Sequence, residues 1–163
     1  MKTAIVYYSL EGNIKYVAEK VAKETGADLI ELIPEKAYPD KGFKKFLWGG
    51  KAATMKEKPE LQPYSFNAAD YDTVVICSPV WAGTFTPPIR TFLTEHDLTG
   101  KRIAVIASSS GGNSVKCIEQ LKSAAHADSL IAELSLIDPK LKPSDETERK
   151  IKEFSEKLCS IIP

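Results

Sequence analysis

The sequence predicts an α/β fold, a doubly wound sandwich in which five parallel strands form one sheet with helices on both faces. Short apolar runs rich in β-branched residues alternate with stretches whose apolar residues recur every three or four positions, the pattern of repeated βαβ units. Two of the runs, residues 73–78 and 102–108, are apolar without alternation, as strands covered on both faces must be. At 163 residues the chain predicts one such domain, spanning residues 1–163.

Residues 3–8 predict the first strand. Ile14, Val17, Ala18, Val21 and Ala22 then share one face of a helix that Gly26 stops in a left-handed conformation. Residues 29–33 predict the second strand. The next segment, residues 34–63, holds four prolines and the pair Gly49-Gly50. Within it Phe43, Phe46, Leu47 and Trp48, set among Lys44, Lys45 and Lys51, suit a short amphipathic helix broken or bent at the glycine pair. Its expected role is packing over the sheet edge. The alternative is a lid or docking surface, because connections longer than about 12–15 residues often carry function.

After the third strand, 73–78, Thr86 suits an N-cap followed by Pro87 and Pro88, with Ile89, Phe92 and Leu93 as the apolar face. The fourth strand is 102–108, and Val115, Ile118, Leu121 and Ala125 make the face of the next helix. Residues 130–137 predict the last strand. Ile151, Phe154, Leu158 and Ile161 then form an amphipathic helix begun near Ser144, whose hydroxyl can cap it.

Composition narrows the function. Hydrophobic residues make up 43% and charged residues 27%, as in a globular chain, so disorder and fibrous repeats are disfavoured. Lys plus Arg and Asp plus Glu number 22 each, so no basic excess exists to neutralise a nucleic-acid backbone. No apolar run approaches the roughly 20 residues that span a bilayer, and the opening segment lacks the core of a secretory signal. A cytoplasmic location is expected. Cys77, Cys117 and Cys159 are expected as buried thiols, and neither His96 nor His126 belongs to a metal-ligand spacing, so no metal is expected.

In an open parallel sheet, ligands bind beyond the carboxyl ends of the strands where connections part to opposite faces. Three segments fall there. Ser9, Leu10, Glu11, Gly12, Asn13 and Ile14 enter a helix, where main-chain N–H groups and the helix dipole favour an anion. Ser78, Pro79, Val80, Trp81, Ala82, Gly83 and Thr84 offer a large planar side chain among small residues. Ser108, Ser109, Ser110, Gly111, Gly112 and Asn113 let backbone approach a flat ligand closely. Together they point to an anion joined to a planar ring. The Walker pattern and the Gly-x-Gly-x-x-Gly fingerprint are absent. Cys77-Ser78 stands where a receiver domain would carry its aspartate, and no basic residue beside Cys77 would activate a thiol. Tyr7, Tyr8 and Tyr16 are expected to pack rather than react.

The three loops, in this order after their strands, resemble those of the flavodoxin-like family over nearly the whole chain, and Ser78-Pro79-Val80-Trp81 with Gly83 and Pro88 looks like one subgroup of it. The resemblance, to the short-chain type, implies the strand order 2-1-3-4-5 and FMN as cofactor. Ser9, Gly12 and Asn13 match the family's phosphate loop. Trp81 would then stack on the flavin, and the Gly111-Gly112 backbone would face its polar edge. Glu11 and Ile14 depart from the pattern, standing where the family places threonine hydroxyls. A carboxylate about 4 Å from a phosphate charge would be repelled by about 4 kcal/mol per charge pair at an effective dielectric of 20. Glu11 is therefore expected to turn toward water while main-chain amides hold the phosphate; the alternative puts its carboxylate in the anion site itself.

The implied function is an FMN-binding redox protein that transfers electrons to a partner protein or a small-molecule acceptor, with no nucleic acid and no membrane span. The alternatives are a flavin-dependent NAD(P)H:quinone-type reductase, which needs an open flavin face, and a flavin-free interaction module. An FMN-dependent oxidoreductase activity and the oligomeric state are left open by the sequence. No side chain is expected to be catalytic, because the flavin supplies the chemistry.

Overall fold

The structure is a computed structural model that describes residues 1–160. Ile161, expected on the last helix, lies outside them. Strands β1 (Thr3–Tyr7), β2 (Asp28–Glu31), β3 (Thr73–Pro79), β4 (Arg102–Ser109) and β5 (Leu130–Ile137) form one sheet in the order β2-β1-β3-β4-β5. Every neighbouring pair is parallel, with Ile5 facing Leu29 on one side and Val75 on the other. The helices are α1 (Asn13–Thr25), α2 (Gly42–Thr54), α3 (Pro87–Glu95), α4 (Val115–Ala124) and α5 (Asp145–Ser160). The fold class and strand order expected from the sequence are those observed.

Alternation along the central strands divides the core in two. Val74, Ile76, Ile103 and Val105 point to one face, where Ile89 and Phe92 of α3 and Cys117, Ile118 and Leu121 of α4 cover them. Val75, Cys77, Ala104 and Ile106 point to the other, under Ile14, Val17, Ala18 and Val21 of α1 and Ile151, Phe154 and Leu158 of α5. Burying each large aliphatic side chain contributes about 1.5–3 kcal/mol, so these faces hold the sheet between its helices. Edge strand β5 alternates instead: Ala132, Leu134 and Leu136 are buried while Glu133, Ser135 and Ile137 are exposed.

Some helix ends follow local chemistry and others do not. Gly26 adopts φ +71° and its N–H bonds to the Ala22 carbonyl at 2.8 Å, closing α1. The Ser144 hydroxyl accepts from the Thr147 N–H at 3.1 Å at the start of α5. Thr86 occupies the cap position of α3 but makes no side-chain cap; its hydroxyl pairs with Ser78 Oγ at 3.1 Å.

Helix α2 corrects two expectations. It runs unbroken through Gly49-Gly50, and its aromatic side chains do not pack: Phe43, Phe46, Leu47 and Trp48 are all more than half exposed, while Gly49, Ala52 and Ala53 are buried. A Cβ at Gly49 would stand 3.1 Å from Trp81 Cε3, so glycine is what lets the helix close on that ring. That contact offsets the roughly 1 kcal/mol by which glycine weakens a helix relative to alanine. Helix α2 sits on the loops at the carboxyl rim of the sheet rather than along either face.

Candidate functional site

After β1 the chain turns to α1 on one face of the sheet, and after β3 it turns to α3 on the other. The crevice between those turns is where a doubly wound sheet binds ligands. A cleft with a volume of about 140 Å³, open to solvent at its mouth, lies there. All three expected loops reach it. Ser9, Leu10, Glu11, Asn13 and Ile14 line it from the first, Pro79, Val80, Trp81 and Ala82 from the second, and Ser108, Ser109 and Ser110 from the third. Gly12, Ser78, Gly83, Thr84, Gly111, Gly112 and Asn113 do not form its wall.

The first loop is shaped for an anion. Gly12 takes φ +91°, which turns the chain into α1, and Ser9 Oγ accepts from the Lys15 N–H at 3.1 Å. Asn13 Oδ1 accepts from the Lys140 N–H at 2.9 Å, so the polar side chains that match the family motif brace the loop. Among the described residues, the main-chain N–H groups of Glu11, Gly12, Asn13 and Ile14 donate to no protein acceptor. Four free donors at a helix N-terminus form an anion-binding concavity.

Glu11 points neither freely to water nor into that concavity. Its Oε1 pairs with Lys45 Nζ of α2 at 2.5 Å, and the Lys45 ammonium also lies 4.6 Å from the centre of the Phe46 ring. The expected solvent-facing carboxylate is thus one half of an ion pair that ties α2 to the first loop.

The second loop positions Trp81. Trp81 and Thr84 exchange both main-chain hydrogen bonds, at 2.9 and 3.0 Å, across Ala82 at φ +50° and Gly83 at φ +76°. Two consecutive positive φ values are those of a type I′ turn, which favours glycine at the second position. Ser78 is fully buried beneath it, and its Oγ accepts from the Thr86 N–H at 3.0 Å. The Trp81 ring meets Tyr8 edge-on at 5.6 Å and Tyr38 at 5.2 Å, besides lying against Gly49. Burial pushes the Tyr38 phenol up to about 12 and raises that of Tyr8 further, so both rings act as neutral walls around the indole.

The third loop is held from β5. Asp138, buried and at φ +39°, accepts from Ser110 Oγ at 2.9 Å, pairs with Lys142 at 3.1 Å and lines the cleft. Ser109 Oγ accepts from the Gly112 N–H at 2.9 Å, turning Gly111 to Asn113 away from the cleft. Burial raises the Cys77 thiol far above its ordinary value, so this residue at the strand end is no nucleophile. Among the described residues no group of three His, Cys, Asp or Glu side chains is placed to hold a metal ion.

Sequence reasoning missed Lys45, Phe46, Gly49 and Gly50 of α2 and Asp138 as parts of this wall. A signal existed for Asp138, which directly follows the predicted last strand and so had to lie at the same rim. None existed for α2, whose docking site on the loops is non-local.

The chain matches a flavodoxin family model over residues 2–158. It is similar to a flavoprotein of Lactobacillus acidophilus NCFM crystallised in complex with FMN, at 27% identity and TM-score 0.69, with 91% of this chain and 97% of that one covered. The apo form of that flavoprotein, determined by NMR, is matched at 28% identity and TM-score 0.64, covering 82% and 91%. Oxidised Flavodoxin 2 of Bacillus cereus, at 17% identity and TM-score 0.64 over 98% and 99%, shares the fold. With the strand order, the three rim loops and a family match running over nearly all its residues, the chain belongs to the flavodoxin family.

Proposed function

We propose that the chain binds FMN in the rim cleft and works as a redox protein that passes electrons to a partner protein or a small-molecule acceptor. The observation that carries this reading is the run of unpaired main-chain N–H groups at the start of α1, three of them on the cleft-lining residues Glu11, Asn13 and Ile14, beside a cleft walled by two further loops. Such a site takes a phosphate without needing the threonine hydroxyls that the loop lacks. The similarity to a flavoprotein found with FMN supports the same cofactor.

The flavin supplies the electron-transfer chemistry, and the residues of this chain bind and orient it. The amides of the first loop take the phosphate. Trp81, held upright by Tyr8, Tyr38 and Gly49, presents ring surface to the cleft, and Ser108 to Ser110 bring small side chains and backbone to the opposite wall. On this reading residues 1–163 act as one flavodoxin-like domain in the cytoplasm. Three free cysteines accord with a reducing compartment, and among the described residues no helix is long and apolar enough to cross a membrane.

The test is FMN titration followed by flavin fluorescence, with Trp81→Ala beside the parent chain. Parent binding with a weaker, spectrally altered complex in Trp81→Ala supports the reading; a parent that refuses FMN overturns it. The reductase alternative draws on one observation, a third loop without an aromatic side chain, which leaves ring access from that side. Steady NAD(P)H oxidation with a quinone would favour it, and stepwise one-electron reduction without NAD(P)H turnover would favour a carrier.

A further inference from the structure

We infer that Lys45 of α2 lets the first-loop amides hold the phosphate of the flavin by cancelling the charge of Glu11. The inference rests on the FMN reading. The first loop sets an isoleucine and a carboxylate at the start of α1, so by itself it offers a phosphate main-chain amides and one like charge. Lys45 changes that balance. Its ammonium sits 2.5 Å from Glu11 Oε1, both residues line the cleft, and only 19% of the Lys45 side chain is exposed. With the pair intact the side chains beside the anion site sum to zero charge. Without Lys45 they carry one negative charge, on a carboxylate that is itself partly exposed.

A second lysine, Lys140, packs against the loop at Gly12, outside the cleft wall. Lys140 Nζ lies 2.7 Å from the point a Gly12 Cβ would occupy, and the Lys140 main chain is fixed there by Asn13. Among the described residues it has no carboxylate partner. Neither lysine belongs to the three rim loops: one arrives on α2 and the other follows β5.

The pair makes a prediction that α2 packing alone would not. Riboflavin shares the ring of FMN and lacks its phosphate, so the ratio of the two dissociation constants isolates the phosphate contribution. Flavin fluorescence titrations would compare the parent chain, Lys45→Met, Glu11→Gln and the double variant at low and high salt. Lys45→Met is expected to weaken FMN about tenfold or more with riboflavin changed less than about twofold, and high salt should shrink the difference. Glu11→Gln should bind FMN at least as tightly as the parent. In the double variant, which removes both charges, FMN affinity should return to within about threefold of the parent. Equal losses for FMN and riboflavin in Lys45→Met, or no recovery in the double variant, would overturn the inference and leave the FMN reading standing. A parent chain that binds FMN and riboflavin equally would also overturn it alone, whereas a parent that binds neither removes both.

Discussion

Helices α1 and α2 are the same length, 13 residues, and are held by opposite means. Helix α1 drives Ile14, Val17, Ala18 and Val21 into the sheet with no exposed surface, and Tyr16 and Lys20 bond to Glu148 of α5 at 2.5 and 2.6 Å. Helix α2 buries a glycine and two alanines, leaves its large apolar residues outside, and is tied down by Lys45–Glu11 and by the Gly49–Trp81 contact. Apolar burial grows with area and dominates a ledger of contacts; one partly exposed ion pair contributes little beside it. The first helix is part of the core, and the second is a wall of the cleft.

That difference can be broken most sharply in α1. Val17→Asp places an unpaired carboxylate in a fully buried position, so urea unfolding should show a loss of more than about 3 kcal/mol or no cooperative transition. A variant that stays as stable as the parent would mean that α1 is not core.

The polar link between α1 and α5 gives a smaller, pH-dependent effect. Hydrogen bonds from Lys20 and then Tyr16 hold the Glu148 carboxyl below its ordinary value. Its pKa is depressed on folding, so the stabilisation is present above about 4.5 and disappears as pH falls through the folded value. Glu148→Gln should therefore melt below the parent near pH 7 and converge with it in acid. Parallel melting curves across the range would remove Glu148 from the link.

Gly49→Ala tests the α2 contact. Alanine favours the helix but its Cβ meets Trp81 Cε3 at 3.1 Å, so the net stability change should stay within about 1 kcal/mol. The readout is Trp81 emission in a Trp48→Phe background, which should shift as the indole is displaced. Leu47→Asp, on the exposed face of the same helix, should be the mildest change, within about 0.5 kcal/mol by urea unfolding. A large loss there would show that this face is covered.

Much of this architecture could be read from residue order alone. The runs at 73–78 and 102–108 became β3 and β4 within a residue, because strands covered on both faces are apolar at every position whatever surrounds them. The Val17 and Val21 stripe, the Gly26 stop and the Ser144 cap are likewise contained within a few turns of chain. The segment containing α2 misled, because aromatic residues among lysines suggest a buried apolar face, while the residues that do pack are the small ones beside them. The same pattern serves a helix lying on loops, where close approach to Trp81 counts for more than apolar area.

From its sequence by itself the chain determined the five strands, their helices and the three loops at one rim, since each depends on periodicity and turn chemistry among near neighbours. Only tertiary structure decided that Glu11 meets Lys45, 34 residues away, that Asp138 braces Ser110, and that Tyr38 and Gly49 hold Trp81 upright. Those choices depend on where a connection comes to rest against distant loops. Contacts between segments far apart in the chain are set by the packing of the whole, and no local pattern records them.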